Sequence, residues 1–522
     1  VEDAAIAVRF LSSLPRFLRT PLTLSEARAI LRDRFERRAA AFLELARRSV
    51  FGRPASPYGR LLASAGCEAG DLEGLVAADG VEGALRSLYS AGVYLTVDEL
   101  KGRRPVVRGS ERFEVHPRAL VNPHSAVHGL AQSGGSRGRP SVVPIDLSFI
   151  RDHAVNTHLT LDAHGGYRWS HAHWGVPGGT ALTNTLELAK GGNPPERWFS
   201  PVAVSAPGIH PRYRLGARAL WLASRASGVA LPYPEHVPLA DPLPIARWMA
   251  DVLARGRTPH LWTFSSSAVL VARAALAAGI DLTGARFTAG GEPTTEARAA
   301  AIRRSGADVL PRFGATETDI FAFACRAPAA ADDMHLLDDR HAVIQPGELG
   351  ASHLPPKALL ISSLLLTAPI VLLNVSLGDQ AELAERRCGC PLDELGWSRH
   401  IWHARSYEKL TAGGVTLLDT DVIGVLEEML PSLFGGSPTD YQVVEETGED
   451  GRPIVRLVVH PAVGAVESKA VAEAFLNAIG GGSAGERMME LGWRDGGVFG
   501  VERRPPTPTA SGKILHLHVE DP

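Results

Sequence analysis

Several stretches of the chain gather residue types that can handle phosphates, a ribose or a metal ion. SGGSRGRPS, Ser133–Ser141, is rich in glycine and hydroxyl side chains. Such a loop offers backbone N–H groups and hydroxyls to a phosphate chain. It lacks the Gly-Lys-Ser/Thr ending of a Walker loop, which argues against a P-loop NTPase. TAGGEP, Thr288–Pro293, and PRFGATET, Pro311–Thr318, each follow a strand-like run. An acid such as Glu317 at a strand end is a candidate for holding Mg²⁺ on a nucleotide. Asp379, in SLGDQAEL, can accept hydrogen bonds from ribose hydroxyls. Lys513, in TPTASGKI, reads by itself as a solvated charge on a polar loop. Taken singly, each stretch is more often a plain loop than a site.

The four cysteines are Cys67, Cys325, Cys388 and Cys390, too few for a disulfide scaffold. Cys388 and Cys390 form a C-G-C, too close to bridge each other comfortably but well placed to grip one metal ion.

The elements that must position these residues follow from patterning. A chain of 522 residues is long enough for two or three domains. With 21% charged residues, 45% hydrophobic residues and a formal net charge of −3, it lacks the basic excess of a nucleic-acid or membrane-surface binder. The stretch VEDAAIAVRFLSSLPRFLRT lacks the features of a signal peptide, so a cytoplasmic protein is expected. Residues 1–100 read as mainly helical, with Ser25 as the cap of a long helix beginning before Glu26. From about 105 to 400, apolar strands alternate with Ala-rich helices. PHLWTFSSSAVLVARAALAAGIDLTGARFTAGGEP reads strand, helix, strand, then a Gly-Gly turn. Beyond about 405 the texture becomes α+β. DYQVVEETGEDGRPIVRLVVHP reads as a hairpin turned at Glu-Asp-Gly, and SKAVAEAFLNAIGGG as a helix stopped by glycines. The expected fold is a large α/β N-terminal domain, 1–404, a hinge at 405–409, and a small mobile α+β domain, 410–522.

Ala358–Leu377 runs for twenty residues without a charge. By length alone it suits a membrane span. Pro369 and the scattered Ser362, Ser363, Thr367, Asn374 and Ser376 favour two buried strands instead, Ala358–Leu366 and Ile370–Leu377, turned at Thr-Ala-Pro.

The order of the pieces carries more than any one of them. A hydroxyl-glycine loop, then G-G-E-P, F-G-x-T-E, G-D after an apolar strand, an arginine, and a late S-G-K resembles the adenylate-forming superfamily of acyl-CoA ligases and adenylation domains. Within it the chain looks most like the phenylacetate–CoA ligase branch. SGGSRGRPSVV is similar to that branch's Ser-Ser-Gly-Thr-Thr-Gly-Lys-Pro loop, and LLISSLLLTAPIVLLNVSLGD to its paired strands ending in Thr-Gly-Asp. The resemblance runs from about residue 90 onward.

It implies an ATP- and Mg²⁺-dependent ligase. A carboxylic acid, aryl or small, is converted to acyl-AMP with release of pyrophosphate, and the acyl group then passes to CoA. By similarity, Ser133, Gly135, Ser136, Arg137 and Gly138 enclose the β- and γ-phosphates. Gly291, Glu292 and Pro293 wall the adenine. Thr316 touches the α-phosphate, Glu317 holds Mg²⁺, and Asp379 and Arg405 bind the ribose. Lys513 bridges the incoming carboxylate and the α-phosphate. The acyl pocket falls near His171, His173, Trp174, Phe264 and Gly290. The resemblance also implies structural Zn²⁺ on Cys325, His335, Cys388 and Cys390, against the alternative of reduced thiols without a metal. A homodimer is left open.

Two departures bear on function. Arg137 and Arg139 replace a hydroxyl residue and the usual lysine of the phosphate loop. At the hinge, the family's Gly-Arg-x-Asp-Asp becomes Ala404-Arg405-Ser406-Tyr407-Glu408. The second departure puts transfer to CoA in more doubt than adenylation. It keeps alive a stand-alone adenylating enzyme that serves an amine, a carrier-protein thiol or another nucleophile. A catalytically silent scaffold is disfavoured by the presence of Glu317, Asp379 and Lys513.

Overall fold

The computed structural model describes residues 2–132, 142–206, 211–347, 354–407, 411–412, 415–416, 419–447, 453–480, 490–491, 493–494 and 499–520. The phosphate-loop residues Ser133, Gly135, Ser136, Arg137 and Gly138 lie outside them, as does the predicted Glu-Asp-Gly turn.

The N-terminal helices form as the sequence suggests, with one shifted start. The helix Leu24–Glu36 is capped by Thr23, not Ser25. Thr23 and Glu26 satisfy each other's backbone N–H reciprocally, at 3.3 and 2.9 Å, which Ser25 cannot do from inside the first turn. A second helix, Arg38–Ala46, starts after a break at Arg37, where one continuous helix is expected from the sequence.

The body of the molecule is a twelve-stranded sheet. Its strands are β1 (Ser170–Trp174), β2 (Arg197–Ser200), β3 (Pro234–His236), β4 (Pro259–Phe264), β5 (Arg286–Gly290), β6 (Asp308–Ala315), β7 (Asp319–Ala324), β8 (Met334–Leu336), β9 (His341–Ile344), β10 (Ala358–Ser363), β11 (Val375–Glu385) and β12 (Arg399–Ser406). The spatial order is 9-10-11-12-8-7-6-5-4-1-2-3. From β6 to β3 neighbouring strands are parallel, and from β6 to β9 they are antiparallel. Helices α1 (Leu147–Ala163), α2 (Gly179–Lys190), α3 (Ser265–Ala277) and α4 (Glu296–Arg303) accompany the parallel half. One core of Ala, Val, Leu and Phe side chains packs that half, and a second joins the antiparallel half to the N-terminal helices.

The apolar run Ala358–Leu377 lies in this second core. No described helix is long and apolar enough to cross a membrane. The strands differ from expectation. β10 stops at Ser363, and β11 starts at Val375 and continues through Asp379 to Glu385. The connection is longer than Thr-Ala-Pro because polar side chains take over its backbone. Asn122 Nδ2 donates to the carbonyls of Leu366 and Ala368, Ser363 Oγ accepts from Leu372 N, and Ser362 Oγ accepts from Asn374 N.

The smaller C-terminal part has a four-stranded sheet with its own core. β13 (Tyr441–Thr447) and β14 (Pro453–Val459) are antiparallel, as expected of a hairpin. β15 (Phe499–Arg503) joins β14 in parallel, and β16 (Leu517–Val519) joins β13 in parallel. The helix α5 (Ser468–Ile479) covers this sheet.

Candidate active site

The carboxyl ends of β1, β4, β5 and β6 open into one cleft of about 350 Å³, walled on its far side by the smaller domain. That is where an open α/β sheet exposes backbone groups and helix N-termini to a ligand.

The G-G-E-P segment follows β5. Gly291 takes φ +74°, and a Cβ there would meet the Phe264 ring at 3.0 Å and Lys513 Cε at 3.2 Å. Glu292 turns its carboxylate away from the cleft centre. Oε2 accepts from Ser266 N at 2.8 Å, in the first turn of α3, and from Arg298 Nη1 at 3.1 Å. Any contribution of Glu292 to an adenine wall therefore comes from its backbone.

Lys513 reaches this segment from the smaller domain. Its Nζ lies 5.0 Å from the Phe264 ring centroid. The loop that carries it is braced by Gln442 of β13, which donates to the carbonyls of Thr507 and Leu515 and accepts from Thr507 N. The two domains meet beside it in a buried ion network. Arg298 of α4 donates to Glu427 Oε1 at 2.6 Å and also contacts His516 Nε2 at 3.1 Å. Burial alone would raise the Glu427 carboxyl, but Arg298 and His516 outweigh it and hold it at about 2.

Thr316 and Glu317 line the same cleft on the turn between β6 and β7. A bulge at Phe313/Gly314 sets up that turn, and a Cβ on Gly314 would fall 2.3 Å from Asp319 O. Asp379, paired with Ser406 across the β11–β12 ladder, and Arg405, paired with Gln380, also line the cleft. Arg405 donates to Asp332 Oδ2 at 2.9 Å, while its buried Nε has no partner. Arg405 and Ser406 are still strand residues. Tyr407 leaves the sheet, with its hydroxyl 2.6 Å from Ser376 Oγ and its N–H donating to Gly378 O. Glu408 lies outside the described residues.

Of the predicted acyl-pocket residues, His173, Trp174, Phe264 and Gly290 line the cleft. His171 does not. It is buried behind the cleft, with Nδ1 2.8 Å from His260 Nδ1. Trp262 Nε1 donates to that same His260 nitrogen and His260 Nε2 faces Thr288 Oγ1, so His171 carries its proton on Nδ1. Burial lowers His171 to about 3, so its ring stays neutral. Nearby, His153, Glu187 and Asp319 bring ligand atoms within 4.8 Å of one another. Arg340 contacts His153 Nε2 there, and burial with the adjacent Asp319 raises Glu187 well above the carboxylate range. That trio is a proton-sharing cluster among arginines, a poor host for a cation.

Cysteines and histidines do gather here, but the set whose donors are all mutually close has His400 where Cys390 is expected. Donor atoms of Cys325, His335, Cys388 and His400 lie within 4.8 Å of one another, and Cys390 Sγ is 3.1 Å from His335 Nε2. His335 and His400 are cross-strand partners on β8 and β12. His335 Nδ1 is 2.6 Å from Trp397 O, and His400 Nδ1 is 2.8 Å from Asp333 Oδ1. His335 thus donates from Nδ1, which leaves its Nε2 lone pair for a metal, while His400 Nδ1 lies between Asp333 and Arg386 Nη2, the latter 3.0 Å away. His400 Nε2 is buried without a partner, an atom that a metal in this set would satisfy. Cys390 is lowered by hydrogen bonds with Cys325 and His335, and Cys325 is raised by the same Cys390 contact. The donor set fits Zn²⁺.

No family model and no curated protein matches the chain in sequence. Solved structures do match its shape. A 2-hydroxyisobutyryl-CoA ligase in the postadenylation state, in complex with R3-HIB-AMP, aligns with a TM-score of 0.55 at 14% identity, over 97% of this chain and 92% of that one. The same ligase with 2-HIB-AMP and CoA, in its thioesterification state, gives 0.50 at 14% identity, over 94% and 90%. The fold is that of the adenylate-forming enzymes. On this adenylate-forming fold the sequence motifs converge: G-G-E-P, F-G-A-T-E, the Asp379–Arg405 pair and Lys513 border one cleft from four directions. Sequence reasoning missed Arg298, Glu427, Arg312, Asp332 and His400. Only His400 carried a signal, its position ten residues beyond the C-G-C.

Proposed function

We propose that the chain activates a carboxylic acid with ATP, releases pyrophosphate and passes the acyl group to coenzyme A. The observation that carries this reading is the position of Lys513 over Phe264 and Gly291, in the cleft that Asp379 and Arg405 also line.

In the first half-reaction a carboxylate oxygen attacks the α-phosphorus. The bond to the bridging oxygen breaks and pyrophosphate leaves. Two anions must approach each other, so electrostatic stabilisation dominates. Lys513 bridges the carboxylate and the α-phosphate, and Thr316 donates to the latter. Glu317 would hold the Mg²⁺ that accompanies ATP, which would neutralise phosphate charge. Gly291, Pro293 and the Glu292 backbone flank the adenine, while Asp379 and Arg405 hold the ribose. Ser133, Gly135, Ser136, Arg137 and Gly138 take the β- and γ-phosphates. In the second half-reaction the thiol sulfur attacks the acyl carbon, AMP leaves with the bonding pair, and the thiol proton passes to solvent.

For Lys513 to withdraw between the two steps, the smaller domain must rotate. Since β12 keeps Arg405 and Ser406 in the large sheet, the pivot lies at Tyr407 and the residues after it. The cysteine–histidine cluster supports a place near the phenylacetate–CoA ligase branch, with Zn²⁺ held by four of Cys325, His335, Cys388, Cys390 and His400 and serving structure. The Trp and Phe walls suit an aryl or small acid.

Acid-dependent exchange of labelled pyrophosphate into ATP tests the reading, and its absence across a broad panel of acids rejects it. Tyr407 at the hinge favours a second reading, transfer to an acceptor other than CoA. That reading predicts hydroxamate formation with hydroxylamine but no CoA thioester.

A further inference from the structure

Arg312 crosses the floor of the cleft in an unusual way. Its side chain leaves β6, passes over Gly290 of β5, and lays its guanidinium on the Trp262 face of β4 at 4.5 Å from the ring centroid. Gly290 makes that path available: a Cβ there would stand 2.8 Å from Arg312 Cγ. At the far end, Nη1 donates to Asn184 Oδ1 of α2 at 3.2 Å. Among the described residues, buried Nε has no hydrogen-bond partner. Among the described residues, no carboxylate comes within 4.0 Å of the guanidinium nitrogens, although Asp319 and Glu187 lie close enough to act on its charge. Burial lowers Arg312 to about 10, which still leaves it cationic at neutral pH.

His173 stands beside it. The side chain is 1% exposed, meets Trp262 edge-on at 5.7 Å, and has no partner for Nε2 among the described residues. An acid pocket meant only for hydrocarbon gains nothing from a buried cation and an unsatisfied imidazole, since each unpaired group costs desolvation. Both groups line the same cleft as Phe264.

We propose that Arg312, with His173 beside it, reads an oxygen acceptor at the distal end of the acid substrate, a second carboxylate or a neutral hydroxyl or carbonyl oxygen. This rests on the adenylating reading above and narrows its substrate class. Asn184 and Trp262 hold the guanidinium in place, and Gly290 sets the depth at which it sits.

The test uses the intact chain in pyrophosphate exchange with matched acids: benzoate against 4-hydroxybenzoate and terephthalate, and butanoate against 4-hydroxybutanoate and glutarate. Hydrogen bonds to charged groups imply a preference for the oxygen-bearing member of about 10–10²-fold in kcat/KM. In Arg312→Met that preference collapses to within a few fold, and in Arg312→Lys, which keeps charge without the planar fork, it is intermediate. Ratios within one variant cancel any general loss, and Arg312→Lys carries the comparison if Arg312→Met fails to fold. Hydroxy acid against diacid tells neutral from anionic acceptors. A wild-type preference for the plain acids, or an oxygen preference that survives Arg312→Met, overturns the inference alone. Silence with every acid overturns the adenylating reading and the inference with it.

Discussion

Arg298 of the large domain donates to Glu427 of the smaller one at 2.6 Å, with both side chains 1% exposed. The same guanidinium holds Glu292 of the G-G-E-P turn and touches His516, three residues from Lys513. One buried cation thus ties the G-G-E-P turn to the domain that carries the lysine. Arg298→Met leaves Glu292 without its ion-pair partner and Glu427 with His516 alone. Loss of one partner of a buried pair costs about 3–5 kcal/mol. Applied to the docked arrangement, that predicts a fall in pyrophosphate exchange of at least about 10²-fold. Thioester formation from added acyl-AMP, which needs the domain elsewhere, is expected to suffer far less.

Lys513→Ala is expected to slow pyrophosphate exchange by at least about 10²–10³-fold, as for other charge-matched donors in phosphoryl and acyl transfer. ATP binding measured by calorimetry should persist, because the remaining contacts belong to the large domain. An unchanged exchange rate would remove Lys513 from the mechanism.

The histidines set the response to acid. His171 is lowered to about 3 and His158 to about 4, both mainly by burial. Their folded values lie below the ordinary 6.5, so the unfolded chain takes up protons first as pH falls. Stability is therefore expected to decline below about pH 6.5. Glu427 acts in a lower window. Its folded value of about 2 lies below the ordinary 4.5, so its contribution is complete above 4.5 and is lost as pH falls toward 2. Urea midpoints between pH 7.5 and 5 check the first window, and a flat profile there would contradict the buried, neutral histidines.

The intact chain is expected to hold one zinc ion, measured by elemental analysis. Replacing Cys325 and Cys388 together by serine leaves three of the five candidate donors and should lose it. Asp333→Asn keeps every donor but removes the carboxylate that orients His400, so zinc affinity should fall about 10–100-fold. Full occupancy in the double variant would reject the site.

Elements with strong local signals were legible in the sequence. Strand, helix and strand in 259–290 fall where the apolar runs and the Gly-Gly turn put them, and the α5 helix stops at Gly480. Local chemistry also explains the errors. Thr23 outcompetes Ser25 because only Thr23 has a glutamate three residues on, and Asn122 stretches the loop after β10 from more than two hundred residues away. Residues that depend on distant pairing left no trace. Arg298 and Glu427 are 129 positions apart, and nothing in ARAAAIRR or GVLEEML says that they meet. Arg312 looks like one more charged residue before F-G-A-T-E until Gly290 is seen to clear its path.

Gln442 clamps the loop bearing Lys513 to β13 at both of its ends. The loop therefore has little travel of its own, and under the proposed rotation strand, loop and ammonium would swing as a single lever. How far the charge extends across the cleft would then be governed by one angle at Tyr407, with the length of the 507–515 segment as the gauge of the stroke.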